Sequence, residues 1–481
     1  MSKMWTGWIG ILSATCSFGA LTPVEQSVEQ AMEVSWRRLM TGLWDPGTGC
    51  LYDYISSNRL GEVSYKACMP TPEEMALQFP NPNGWRTGLE DCDLKGGPML
   101  VAALRRLEAH GGKDDEARDT LEKVYTGLRN CATVSGVPGF LARGVSPLDG
   151  RSFYSNSSRD QYTLFIYSMW RYHGSRFADE RRKAEIRGML VDIAKMLRRI
   201  MADPKAEMTL LRSDGKPGDV GYMWVKNPRR VVHIKDAARL VYFDNLMCAH
   251  EAFRLPMFFA AAWDVTGDDC WRAEQMKYMD DAFFMTGGDF VPYGFDLPSF
   301  ALYQAQVSHR LLWEVEPDAD VKAKLADVMR RFAKMADRTF DVVEKKLADI
   351  TDAEMYAPVA DWRGRSFIYR SGRNGGQPPG ELIGGLPYMI PSVPDYWKPQ
   401  CIPELLGLSL LSRLMVPGGE SLPASEIPRF CRIAASVDWS RHCMSSMSQM
   451  LLAYWALEAT QADSCRSGSN DFKKEKETTR Q

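Results

Sequence analysis

The stretch Ser155-Asn156-Ser157-Ser158-Arg159-Asp160-Gln161-Tyr162-Thr163, running on through Leu164-Phe165-Ile166-Tyr167-Ser168-Met169-Trp170-Arg171-Tyr172, decides the fold class. Ser158 followed three residues later by Gln161 is a capping-box pattern, which predicts a helix beginning at Ser158. Helical spacing of apolar residues then recurs along the chain. It predicts helices over about 23–41, 98–108, 114–129, 159–172, 179–201, 235–253, 268–284, 299–313, 319–349, 403–414, 427–435 and 439–459, with a short one near 257–262. Roughly a dozen helices exceeds the usual one-third helix share. β-branched runs bounded by turn signals are confined to 231–234 and 367–369. The chain reads as all-α.

Between the helices lie segments far longer than the usual connection of about four to six residues. They cover about 42–90, 132–158, 202–235 and 351–400, and all are rich in Gly, Pro, Trp, Tyr and Arg. Such segments are too aromatic for disorder and read as functional loops. Helices in this number, with long decorated loops at alternate connections and no strict repeat period, resemble the (α/α)6 toroid. That ring of six helical hairpins is shared by many glycoside hydrolases and polysaccharide lyases. The resemblance implies one catalytic domain over 21–460, with inner helices apolar nearly all round and the long loops on one rim. It rests on architecture and loop chemistry, not on the signature of a specific family.

Composition sets the outer limits. Of 481 residues, 59 are Lys or Arg and 61 are Asp or Glu, a net charge of −2. That leaves no global positive field for nucleic acid or an anionic membrane, because non-specific affinity for phosphate polymers comes from cationic side chains. Mean hydropathy is −0.30, and no long uncharged apolar run follows the N-terminus, which excludes a polytopic membrane protein. Residues 1–20 read as a secretion signal: Lys3, then the uncharged Met4–Ala20, with Ser17-Phe18-Gly19 at the positions a signal peptidase reads. A secreted or periplasmic protein is expected. Residues 461–481, with Lys473-Lys474-Glu475-Lys476-Glu477, read as a disordered charged tail. Eleven cysteines are too sparse for a disulfide scaffold. Removing Cys16 with the signal leaves ten, mostly buried thiols with room for one or two bridges on export.

Two segments carry the chemistry. The first is Asn83-Gly84-Trp85-Arg86-Thr87-Gly88-Leu89-Glu90-Asp91-Cys92-Asp93, followed by Gly96-Gly97-Pro98. Pro98 suits a first helical position and Gly97 the cap before it. Glu90, Asp91 and Asp93 repel one another, so burial would drive Glu90 or Asp91 toward a raised pKa and the role of general acid. Trp85 suits a sugar face, and the planar Arg86 fork suits a uronate carboxylate. The second segment is the opening stretch. Asp160 in a first helical turn is favoured in its ionised form by the helix dipole, which suits a base or an electrostatic stabiliser. Arg159 beside it adds an anion donor. Arg143 and Tyr154 precede this helix, and Tyr162 lies on it. The same carboxylates also fit a simpler role as charges that stabilise helix starts.

Glu90, Asp91 and Asp160 together supply one carboxyl kept protonated and one kept ionised, the pair that glycoside hydrolysis requires. In the toroidal hydrolases that the chain resembles, catalytic Asp or Glu residues sit where loops run into inner helices, and these three match that placement in type. Trp85, Arg86, Arg143, Arg159, Tyr162, Trp224, His250 and His309 are the candidate substrate contacts. The expected partner is an oligosaccharide or polysaccharide, with no cofactor and no resident metal. No H-E-x-x-H, P-loop, G-x-S-x-G or zinc-spaced Cys/His set occurs. β-Elimination on a uronate glycan is the competing chemistry, with His250, His309 and the basic loops around Trp224 and Trp362 as its candidates. A non-catalytic glycan-binding ring is the third reading.

Overall fold

The structure is a computed structural model that describes residues 21–22, 24–206, 208–224, 249–287, 299–369, 389–392, 397–417, 425–460 and 462. The signal expected at 1–20, the strand expected at 231–234 and nearly all of the tail lie outside these residues. Twelve helices build the body: α1 (Val28–Gly42), α2 (Cys92–Ala109), α3 (Asp115–Thr133), α4 (Arg159–His173), α5 (Glu180–Ala202), α6 (Arg254–Thr266), α7 (Asp269–Thr286), α8 (Ser299–Val315), α9 (Ala319–Met335), α10 (Trp397–Leu414), α11 (Glu426–Ala435) and α12 (447–460). A further helix, Thr339–Asp349, lies between α9 and α10 in sequence and packs on α10.

The even-numbered helices are buried on almost every face. In α4, for example, Gln161 through Trp170 are all buried. They touch in the order α2, α4, α6, α8, α10. The circle closes through α12. A Cβ on Gly407 of α10 would sit 2.6 Å from the Gln449 carbonyl oxygen of α12, so the two backbones meet without a side chain between them. On its other side α12 lays Trp455 against Arg106 and His110 of α2. The odd-numbered helices pack outside and are amphipathic; the Trp36 indole of α1 reaches the Thr120 hydroxyl of α3. The result is a closed ring of six inner and six outer helices, an (α/α)6 toroid.

Connectivity places the long loops. Every inner helix is entered from an outer one through a long connection, and the described parts of 43–91, 134–158, 203–253, 336–396 and 436–446 lie toward one rim. Inner helices return to outer ones through short turns such as 110–114 and 267–268. The rim segments are knitted together. Ser56–Ser57 pairs in parallel with Val359–Ala360 and antiparallel with Val63–Ser64. Tyr54 bridges Met444, and the Asn156 N–H donates to the Pro82 carbonyl. The short strand expected at 367–369 is present, paired with Met389–Pro391.

Several expectations need correction: the helix expected over 319–349 is split at 336–338 into Ala319–Met335 and Thr339–Asp349, and the last helix begins at 447, not 439. The helix predicted to begin at Pro98 begins at Cys92, with Asp91 at its cap and Pro98 inside it. Gly97 is not a cap: a Cβ there would lie 2.9 Å from the Leu164 carbonyl of α4, so the glycine serves the contact between two inner helices. At Ser158 the helix starts where the pattern places it, but no capping box forms. The Ser158 hydroxyl has no hydrogen-bond partner among the described residues, because Gln161 is drawn into the interior instead.

Gly407 tests the ring closure. In a helix interior, Gly→Ala ordinarily stabilises by about 1 kcal/mol. Here the methyl meets backbone that cannot swing away, and overpacking costs about 1–3 kcal/mol. Gly407→Ala is therefore expected to lower the urea midpoint of unfolding; a raised midpoint would place α10 and α12 further apart than described.

Candidate active site

The first turns of three successive inner helices and the loops before them converge at the loop-bearing rim. The loop into α2 brings Glu90 and Asp91. The start of α4 brings Arg159, Asp160 and Gln161. The start of α6 brings Glu251 and Arg254. Helix N-termini present unsatisfied N–H groups and the positive end of the dipole, which explains why acidic side chains gather there.

Arg143 links the loop into α4 to the first of these groups. Its Nε donates to the Glu90 carbonyl oxygen at 2.7 Å and its Nη2 to Asp91 Oδ1 at 3.0 Å. Gln161 reinforces the link: its Nε2 donates to Asp91 Oδ1 at 2.7 Å and to the Glu90 carbonyl at 3.2 Å, while its Oε1 accepts from the Leu94 N–H. Asp160 is one residue away from Gln161 in sequence, so the two acidic segments flank one cluster. Asp160 accepts from Arg254 Nη1 at 2.7 Å, and Arg159 Nη2 pairs with Glu251 Oε1 at 2.5 Å. Arg254 is buried, at 1% exposure, whereas 35% of the Asp160 side chain faces solvent. A carboxylate held from behind and open in front suits a ligand.

The protonation states diverge. Burial raises the Glu90 pKa, and the Asp91 and Asp53 carboxylates raise it further, to about 8 despite Arg143 and the Arg86 N–H. Burial opposes ionisation of Asp160 too, but Arg254, Arg159 and Arg143 outweigh it and hold the group below the usual carboxylate range. Glu251 is likewise held down against its burial, by Arg159 first. These shifts favour a protonated Glu90 and an ionised Asp160 at neutral pH.

Asp53 is the residue that sequence reasoning missed in this role. In the sequence it simply flanks, with Asp45, a Gly-rich turn. Its Oδ2 accepts the Glu90 N–H at 2.8 Å, and burial followed by the Asp91 charge pushes it up to about 7. Asp45 is occupied elsewhere, by Thr48, Tyr65 and Lys66. Arg254 and Glu251 were missed as well. No local pattern marks any of these, since each partner lies far away in the chain.

The remaining candidates divide. Trp85 and Arg86 stay half-buried beside Glu90. Arg86 has φ of +64°, a left-handed backbone that aims its N–H at Glu90 Oε2 at 2.9 Å, while its Nη1 donates to the Pro391 carbonyl. His250 is buried beside Glu251, 3.8 Å from Nε2 to Oε1, and burial lowers its pKa to about 4. Three others leave the site. Tyr162 is fully buried, its hydroxyl donating to the Gly139 carbonyl and accepting from the Leu141 N–H. His309 lies between Phe253 and Phe332 on the outward side of α8. Trp224 is buried edge-on against Tyr278 of an outer helix. Apolar packing claims all three. In the second basic loop, Trp362 is core and Arg363 is spent on Glu74 and the Met69 carbonyl.

Among the described residues no group of His, Cys, Asp and Glu is arranged to hold a metal ion, and no helix is long and apolar enough to cross a membrane. No protein-family model matches the chain, and neither does any curated protein. Among solved structures, one similar chain is a family 76 glycoside hydrolase from a bovine Bacteroides thetaiotaomicron strain, at 10% identity, covering 91% of this chain and 78% of its own with a TM-score of 0.41. Another is cellobiose 2-epimerase from Spirochaeta thermophila, at 12% identity, 90% and 97% coverage and a TM-score of 0.41. Both likenesses are too remote to assign a reaction.

Proposed function

We propose that this protein is a glycoside hydrolase that cleaves an oligosaccharide by paired-carboxyl catalysis at the loop-bearing rim. The reading is carried by the opposed pKa shifts of Glu90 and Asp160, whose segments meet where Gln161, next to Asp160 in the chain, donates to Asp91 and to the Glu90 carbonyl. Glu90 is the general acid that protonates the leaving oxygen. Asp160 is the ionised partner that activates water or meets the positive charge developing on the sugar. Asp91, fixed by Arg143 and Gln161, positions the acid, and Trp85 offers the sugar a flat apolar face.

The arginines narrow the substrate. Arg143 and Arg159 pair with Asp91 and Glu251, and Arg86 donates to a backbone carbonyl. Guanidinium groups already committed to the protein favour a neutral glycan over a uronate. The same commitment weakens β-elimination, which needs the substrate carboxylate neutralised. We assign the protein to an exported compartment on the strength of residues 1–20.

General acid–base catalysis contributes about a hundred- to ten-thousand-fold in rate. Asp160→Asn is expected to lose turnover by that order while calorimetry still detects oligosaccharide binding; undiminished turnover would remove Asp160 from the mechanism. Glu90→Gln is expected to fail on natural glycosides yet recover with an aryl leaving group that needs no proton. Equal loss on both substrates would contradict the acid role. A product with the ultraviolet absorbance of a conjugated uronate would favour the lyase.

The pH dependence follows with its sign. Turnover needs Glu90 protonated and Asp160 ionised, so kcat/KM is expected to fall as pH rises through about 8 and to fall again below the ordinary carboxylate range. Asp53→Asn removes a charge that raises Glu90, so the alkaline limb should move to lower pH. A limb that stays in place would deny the coupling between Asp53 and Glu90.

A further inference from the structure

Next to the carboxyl cluster, three thiols meet in the wall of the ring. Cys50 lies in the segment between α1 and α2, Cys92 opens α2, and Cys131 is in the last turn of α3; each is at most 2% exposed. Cys50 Sγ and Cys131 Sγ are 3.7 Å apart, in van der Waals contact. Glycine makes the approach feasible. A Cβ on Gly127 would fall 2.1 Å from the Gly49 carbonyl oxygen, so the segment around residue 50 lies directly on the α3 backbone. The three cysteines, with Gly49, Gly96 and Gly127, line one small gap.

We propose that Cys50 and Cys131 form a disulfide on oxidation, closing the segment that precedes Asp53 onto α3. Exchange starts at Cys50 while the chain refolds, before both thiols are buried. The Cys50 thiolate attacks one sulfur of a small disulfide and releases a thiol. Cys131 then displaces the second half of that reagent from the mixed disulfide. The S–S bond forms as the reagent's own S–S bond breaks, and both protein protons end on the two released thiols. Cys92 stays reduced. Export would supply the oxidant in vivo, but the pairing itself is independent of both export and the reaction catalysed.

The full-length chain is reduced, then refolded with oxidised glutathione, blocked with iodoacetamide and mapped as unreduced peptides. The expected result is a Cys50–Cys131 linked peptide, a free-thiol count lower by two than in the reduced chain, and a higher melting temperature that dithiothreitol abolishes. Cys92→Ser should keep the link and the shift, whereas Cys50→Ser and Cys131→Ser should lose both. Alkylation of both Cys50 and Cys131, a persistent glutathione adduct, or a link to Cys92 would each overturn the pairing.

Discussion

The Arg143 guanidinium is the group on which the rim depends. Buried at the base of the loop into α4, it donates to the Glu90 carbonyl and to the Asp91 carboxylate at once. Removing a charged donor from such a site strands the groups it satisfied, which costs far more than an exposed pair would. Its position also divides the acids. Asp91 receives its charge directly, whereas at Glu90 burial and the like-charged neighbours outweigh Arg143 and the Arg86 N–H and favour the protonated carboxyl. Asp160 and Glu251 are served by Arg254 and Arg159, so guanidinium groups and ionised carboxylates balance around the cluster.

The ring makes this balance possible. Inner helices that begin at one rim bring several N-termini together, and each contributes unsatisfied N–H groups and a favourable dipole for anions. The loops that enter those helices carry side chains without disturbing the packed wall beneath. Close backbone approaches at Gly97 and Gly407 let neighbouring inner helices touch. Function concentrated in loops on a stiff scaffold is a general arrangement.

Much of this was legible along the chain. Helical spacing and the alternation of long and short connections announced an all-α ring, and Glu90, Asp91 and Asp160 stand where acidic residues precede or open an inner helix. The errors have physical causes. Pro98 reads as a helix start, yet a long apolar helix buried on all sides tolerates it six residues in, where tertiary packing offsets the lost hydrogen bond. Gln161 reads as a cap, yet the Asp91 carboxylate and the Leu94 N–H offered it better partners. His309 and Tyr162 looked chemical because polar atoms on apolar helices attract notice, and both are core. Asp53, Glu251 and Arg254 were invisible because their roles arise from contacts across dozens of residues, which no local pattern records.

The central claim is that Glu90 and Asp160 hold opposite protonation states at one pH. Infrared difference spectroscopy of the wild type against each variant at neutral pH reads this directly, because a protonated carboxyl has a C=O stretch distinct from the carboxylate bands. The account predicts that Glu90→Gln removes a protonated-carboxyl band and that Asp160→Asn removes only carboxylate intensity. Loss of carboxylate intensity in both variants, with no protonated band removed by Glu90→Gln, would contradict it.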